Sequence, residues 1–428
     1  MRKSWEAPLA SHECTLALAR NGYPYIGEQC DRLGTNLFLS RLMLKKTIFM
    51  RGKEAAELFY DNDRFTRENA APKRLKKTLF GEGGVQGLEG KAHQQRKAIF
   101  LSLMTPASID RLIQIVVQHW RTRLNYWESQ TSIVLLDELH NILCRAACEW
   151  TGIPLHRVDA PDMTQKLVLM IEGGAAIGPQ HWASRRARNS VENELIGMVN
   201  AYRGALHEVD HSSPFAIFAN ACDDHGDRLE SRVVAVELIN IIRPIVAIAR
   251  YMVFAVLAMH QYPSCLEKLK QSGPGPYRFH FIQEVRRYYP FFPFLAARVK
   301  TDFTWNGYRF HRGRQTILDL YGTNHDTHRW ESPHQFWPER FEQECDDSFR
   351  FAMIPQGGSD QATQHRCPGE DITLALIDLA VNQFTRQLSY DVPDQDLTVD
   401  LNVIPARPRS GLVISNIRPL DPVMLTEE

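Results

Sequence analysis

The chain has 428 residues, 44% of them apolar and 23% charged, with 50 Lys and Arg set against 50 Asp and Glu. That balance leaves no field to draw nucleic acid or an anionic membrane surface. The length, with no Gly/Ser-rich linker, repeat or low-complexity break, points to one large domain over residues 1–428.

The first residues, MRKSWEAPLASHECTLALARNG, hold no apolar run long enough for a signal peptide or a membrane anchor. The sequence is therefore read as a soluble, cytoplasmic protein. Cys14, Cys30, Cys144, Cys148, Cys222, Cys265, Cys345 and Cys367 show neither CxxC spacing nor a paired framework. Cys144 and Cys148 share one face of an expected helix and read as core.

Residues 36–50 alternate as strands do, and Gly52-Lys53-Glu54 opens a short helix. Residues 73–90 are glycine-rich and aperiodic, the pattern of a segment that covers a site. Within them Phe80 and Gln86 are candidates to face a pocket, although each residue type in a loop more often packs or meets solvent. Next, His93, Arg96 and Lys97 share a helical face; spacing alone favours a solvated basic face over a set of donors for a carboxylate. Thr105-Pro106 reads as a cap and first helical position, and helices are expected over 137–150, 163–172 and 184–206. Between the last two, Gly173-Gly174 and Gly178-Pro179 suit a mobile lip. The fold is mainly α with a small β region.

Residues 232–260 are the most apolar long stretch, read as a central helix because Glu237, Asn240, Arg243 and Arg250 argue against a membrane span. Pro244 inside it removes a hydrogen bond and is expected to kink the helix. Arg243 cannot shed its charge. It either pairs internally with Glu237 or another acid, snorkels outward to water, or holds a ligand carboxylate in bidentate geometry. Glu284 and Arg287 stand at i, i+3 for an internal ion pair, and Asn306-Gly307 reads as a hairpin turn.

Residues 353–370 organise the rest. Pro368 suits a first helical position, and Ile372, Leu376, Leu379 and Phe384 recur at helical spacing, which would place Cys367 at a helix N-terminus, where a thiolate is favoured. A lone cysteine is more often inert core. Here Gly357 and Gly358 permit close approach, His365 and Arg366 bring donors, and Gly369 leaves room beside the sulfur. Those features suit a bulky anionic cofactor with a soft-ligand metal.

Glu-x-x-Arg at 284–287, Pro-Glu-Arg-Phe at 338–341 and His-x-Cys-x-Gly at 365–369, in that order, resemble the cytochrome P-450 superfamily of heme-thiolate proteins. The resemblance covers nearly the whole chain. It implies the triangular, mainly helical P-450 fold, heme b as cofactor, and Cys367 as the axial thiolate on iron. It further implies an ion-pair network of Glu284, Arg287 and Arg340, with His93 and His365 as heme-propionate partners. Lys97 stands where the superfamily usually has Arg.

Arg243-Pro244 replaces the usual acid and threonine of the central helix, and the loop GGSDQATQHRC is longer than usual. Both features, with PFFPF at 290–294, DLYGTNHD at 319–326 and RENAAPKR at 67–74, are similar to the hydrogen-peroxide-dependent fatty-acid peroxygenases. That likeness implies a long-chain fatty acid and hydrogen peroxide as substrates, with no redox partner required. Arg243 and Pro244 would be the catalytic pair, the carboxylate clamped by Arg243 serving as general acid-base. Phe80, Gln86, Phe291 and Phe294 would bind substrate. Gln86 matches a position that tends to be His in efficient decarboxylases, which tilts the expectation toward hydroxylation at C2 or C3. The other readings are a terminal-alkene-forming decarboxylase, a reductase-dependent monooxygenase and a non-catalytic heme-thiolate sensor.

Overall fold

The computed structural model describes residues 6–154, 158–174, 176–205, 210–342 and 349–420. Cys345, Leu206 and the first five residues of the chain lie outside them. In chain order, α1 (Thr15–Asn21) and α2 (Tyr25–Leu33) precede the hairpin of β1 (Leu37–Leu42) and β2 (Lys45–Met50), then α3 (Lys53–Phe59) and β3 (Phe65–Thr66). The aperiodic stretch holds only short turns: α4 (Lys73–Leu75), a π turn over Lys76–Phe80 and a 3-10 turn over Val85–Gly87. The helical body follows as α5 (Gly90–Ser102), α6 (Pro106–Trp127), strand β4 (Ser132–Val134), α7 (Leu135–Thr151), α8 (Ala160–Glu172), α9 (Pro179–Arg203) and α10 (Pro214–Asn220). Next come α11 (Ser231–Ala247), α12 (Ala249–Gln261), α13 (Pro263–Ser272) and α14 (Pro276–Tyr288). The last part holds β5 (Phe294–Val299), β6 (Phe303–Trp305), β7 (Tyr308–Phe310), β8 (Gln315–Asp319), α15 (Leu320–Asn324), α16 (Glu370–Asn382), β9 (Leu388–Asp391) and β10 (Val413–Pro419).

The apolar stripe of α6 starts where the sequence places it: the Thr105 hydroxyl accepts from Ser108 N–H at 3.3 Å, with Pro106 in the first turn. The β1–β2 turn is less expected, because Met43 and Leu44 both take positive φ, 50° and 65°, a geometry that favours Asn and Gly. Thr15 and Glu13 hold it by accepting from the Met43 and Leu44 N–H groups.

β1, β2, β8, β5 and β3 form one sheet in that order, with β2 and β8 parallel and the other pairs antiparallel. It sits beside the helical body. The largest core gathers on α11 and α12, which pack on α7, α8, α9, α14 and α16. Residues 231–261 are long and apolar enough to cross a membrane, but 94% of the most apolar window is buried inside the protein. Helix continues through Pro244 and breaks only at Ile248, whose N–H reaches Pro244 O at 3.2 Å and Ile245 O at 3.1 Å. The interruption of the helix therefore lies one turn later than the proline.

Candidate active site

Cys367 does not cap a helix. α16 begins at Glu370 with Gly369 as its N-cap, so the sulfur sits in a turn just ahead of it. Burial pushes the Cys367 thiol pKa up; the Gly369 N–H, Lys97 and Arg286 act against that push without overcoming it. In the protein alone burial thus outweighs the helix terminus, and only a bound metal would deprotonate the sulfur outright.

The loop carrying Cys367 is held from several sides. Cys367 N–H donates to Gln356 O at 3.1 Å, and Gln361 Nε2 to Cys367 O at 3.0 Å. Lys97 Nζ donates to Gln364 O at 2.7 Å and to Arg366 O. Glu370 joins the loop to α14, accepting from Arg366 Nε at 2.7 Å and pairing with Arg286. Gly357, at φ 93°, is required: a Cβ there would lie 2.7 Å from the Tyr60 hydroxyl.

His93, Arg96 and Lys97 are all buried, which overturns the solvated basic face that spacing favoured. Their functions diverge. Arg96 Nη1 takes Glu237 Oε1 at 2.7 Å, Lys97 ties down the cysteine loop, and the His93 ring lies against His365 with centroids 4.0 Å apart. Burial, His365 and Lys97 drive the His93 pKa down to about 3. Arg67, buried over the Phe59 ring at 4.1 Å, adds a further cation that the sequence reading did not single out, its pKa drawn down to about 10 by burial. Glu89 answers this group, accepting from Thr66 Oγ1 at 2.9 Å with His365 Nε2 at 3.7 Å. Its pKa falls to about 2: burial raises it, and the His365 ring together with the hydrogen bond from the Arg67 N–H overcomes that.

Arg243 is 8% exposed, and among the described residues no carboxylate lies within ion-pair distance of it. Its Nε is buried without a hydrogen-bond partner. The internal pairing with Glu237 does not occur, because Glu237 is occupied by Arg96, by Val85 N–H at 2.9 Å and by Asn240 Nδ2 at 2.9 Å. Burial and the like charge of Arg188 pull the Arg243 pKa down to about 9, while the field of Cys367 acts in the opposite direction. Since a guanidinium does not deprotonate in a protein, that depression measures a cation lacking its anion.

The other sequence candidates spread around this helix. Gln86 Oε1 accepts from Asn240 Nδ2 at 3.3 Å, one turn from Arg243. Phe80 meets Phe292, centroids 6.4 Å apart, a pairing the sequence reading did not anticipate. Phe291 stacks on Tyr251 of α12 at 4.4 Å, and its carbonyl accepts from the Tyr23 hydroxyl at 2.7 Å. Phe294 opens β5 and packs instead on the small cluster of Cys14, Tyr25, Phe38 and Phe49. Arg74 Nη2 donates to Ala176 O at 2.8 Å, tying the glycine-bounded 173–178 segment to the loop before Phe80.

The ion-pair network is present. Arg287 grips Glu284 with two bonds of 2.7 Å, both side chains fully buried, and Arg340 Nε lies 3.2 Å from Glu284 Oε2. Trp337 N–H adds a further donor to Glu284 at 2.8 Å, and Arg287 Nη1 reaches Asn324 O and Pro333 O at 2.9 Å. α14 is thereby locked to the segments leading into the cysteine loop.

A half-buried cysteine with Gly369 beside it, and a Cβ there still 4.0 Å from the sulfur, offers one soft ligand with room around it. Arg67, His93, Lys97 and His365 set cations or donors around it, with Glu89 answering only in part. This donor set fits a heme: one sulfur for iron, and cations for its carboxylates.

Known proteins agree. Residues 274–404 match the family model described as Cytochrome P450. The solved structure of cytochrome P450EX alpha (CYP152N1), wild-type with myristic acid, is 40% identical, covers 97% of this chain and 100% of its own, and superposes with TM-score 0.93. A single-residue variant of cytochrome P450 OleT in complex with arachidonic acid is 35% identical, with 98% and 99% covered and TM-score 0.92. Geranylhydroquinone 3''-hydroxylase CYP76B74 of Arnebia euchroma is 27% identical over 52% of this chain; the chain spans about half of that protein, 48%. The fold and site thus define a heme-thiolate protein with heme b as its cofactor. The chain belongs to the cytochrome P450 family, on the CYP152 branch that those two structures represent.

Proposed function

We propose that the protein is a cytoplasmic fatty-acid peroxygenase that uses hydrogen peroxide to hydroxylate a long-chain fatty acid at C2 or C3, with no redox partner. Arg243 carries the reading. A buried guanidinium with no anion beside it among the described residues is a binding site for one, and its planar fork suits a carboxylate. The fatty acids named with the two CYP152 structures have that headgroup.

Cys367 would hold the heme iron, with Arg67, His93, Lys97 and His365 around the propionates. Heme held by a thiolate supplies cleavage of the peroxide O–O bond and delivery of one oxygen to a C–H bond. The protein's own task is to place the substrate and a proton. Arg243 fixes the acid end and brings C2 and C3, rather than the chain terminus, to the reacting position. Glu237, the acid on the same helix, is tied to Arg96 and Asn240, so α11 offers no free general acid. The substrate carboxylate, beside Arg243, then holds and moves the proton between peroxide oxygens. Pro244 follows Arg243 within α11, and having no N–H it adds no donor beside that carboxylate. Phe80, Phe292 and Phe291 receive the chain.

The test is mass spectrometry of products from heme-loaded protein, hydrogen peroxide and a long-chain saturated acid, without a reductase. A 2- or 3-hydroxy acid supports the reading. A one-carbon-shorter alkene moves the main activity to decarboxylation, and product only with an electron-transfer partner defeats the peroxygenase assignment.

A further inference from the structure

The loop over residues 81–87 is pinned to α11 by a short chain of polar contacts. Val85 N–H and Arg96 Nη1 both donate to Glu237 Oε1, at 2.9 and 2.7 Å, and Asn240 Nδ2 donates to Glu237 Oε2 at 2.9 Å. Burial raises the Glu237 pKa, yet these donors and the Arg96 charge favour its ionised form, which can only accept. The Asn240 amide is thereby fixed with its nitrogen toward Glu237. Its second N–H goes to Gln86 Oε1 at 3.3 Å. Gly84 lets the loop come this close, since a Cβ there would lie 2.9 Å from Asn240 Nδ2 and 3.0 Å from Gln86 Oε1.

The consequence reaches the substrate. With its carbonyl turned to Asn240, Gln86 points its NH2 group the other way, and that group donates to no described residue. Asn240 stands one helical turn before Arg243, so Gln86 is a neighbour of the clamp. A flipped Gln86 would set one carbonyl against a carboxylate and face its own nitrogen to the Asn240 NH2.

We propose that Asn240 is a positioning residue: charged Glu237 orients its amide, and it in turn makes Gln86 a donor beside Arg243. Gln86 then adds a lateral hydrogen bond to the carboxylate that Arg243 holds, fixes its rotation, and selects between C2 and C3. An amide donates hydrogen bonds but gives up no proton, so the substrate carboxyl alone shuttles it. The inference rests on the carboxylate reading of Arg243 and deepens it.

The experiment is a double-mutant cycle on the holoenzyme with Asn240→Ser, Gln86→Leu and their combination. Serine keeps a donor for Glu237 but is too short to reach Gln86; Asn240→Leu serves as a second variant should the first fold poorly. The readouts are the Kd of a long-chain fatty acid by calorimetry, and the KM, kcat and C2 to C3 product ratio with peroxide. Asn240→Ser is expected to raise Kd and KM roughly tenfold, the worth of one hydrogen bond to a charged group, to shift the product ratio, and to leave kcat within a factor of about three. In the Gln86→Leu background the same substitution should change nothing beyond about twofold. An Asn240→Ser effect of equal size in both backgrounds, or none in either, overturns the proposal. Should the parent bind acid with this coupling but form no oxidised product, the peroxygenase reading fails while the positioning role stands.

Discussion

Replacing Arg243 by Met should make the protein more stable and less active at once. The guanidinium is buried, and burial together with Arg188 pulls its pKa to about 9. At about 1.4 kcal/mol per pKa unit, that is on the order of several kcal/mol of unfavourable burial before substrate arrives. Substituting an apolar side chain of similar length for a buried charge returns about 1–4 kcal/mol, which corresponds to a rise in Tm of a few degrees. Truncating one partner of a buried, hydrogen-bonded pair costs about 3–5 kcal/mol, so kcat/KM for the fatty acid should fall by about two to four orders of magnitude. The assay pairs thermal unfolding of heme-matched parent and Arg243→Met, with and without fatty acid, with steady-state peroxide kinetics. Fatty acid should raise the Tm of the parent and barely move that of the variant. A variant that melts lower than the parent, or keeps kcat/KM within a few-fold, refutes the reasoning.

Burial raises the Asp319 pKa to about 7, against hydrogen bonding from Gly322 N–H and the charge of Arg51, so the folded protein holds a proton that the unfolded chain releases near pH ~4. Stability from this group is therefore full below pH ~4 and declines as pH rises to about 7. Asp319→Asn should remove that decline, and a Tm difference between parent and variant that is the same at pH 5 and pH 8 would contradict it. Lys97→Met loses the Lys97 bonds to Gln364 O and Arg366 O, each about 1.5–3 kcal/mol as bonds to a charged group. It should lower heme retention through gel filtration at unchanged chain yield; full retention argues against Lys97 as the loop's anchor. Glu284→Gln strips the charge that Arg287 and Arg340 share in a fully buried setting, a loss of about 3–5 kcal/mol. Little soluble protein is expected, and normal yield with an unchanged Tm would show that the network contributes little.

What the sequence reveals here follows from which signals are local. The central helix, the α6 cap and the Glu284–Arg287 pair are set by spacing within a few residues, and all three stand in the structure. The sequence separates Arg243 from an ordinary ion pair only through family likeness. The structural distinction depends on Arg96, far away in the chain, taking Glu237 first. The same long-range pairing explains why the His93, Arg96 and Lys97 face reads as solvated yet is buried. Asn240 gives no sequence signal, because its function lies in the orientation of one amide. Arg67 and Phe292 are likewise hidden, being a charge in a loop and one ring of an aromatic run. The start of α16 falls later than the sequence suggests because Pro368 suits a helix start, while the chain turns once more about Gly369 before the first helical residue.

The central claim is that the substrate's own carboxylate completes the site around Arg243. Peroxide-driven turnover of a long-chain fatty acid against its methyl ester tests it most directly, since the ester keeps the chain but has neither the negative charge nor a transferable proton. Hydroxylation of the free acid at C2 or C3, with the ester at background, is the predicted result. Comparable turnover of the ester would contradict the account.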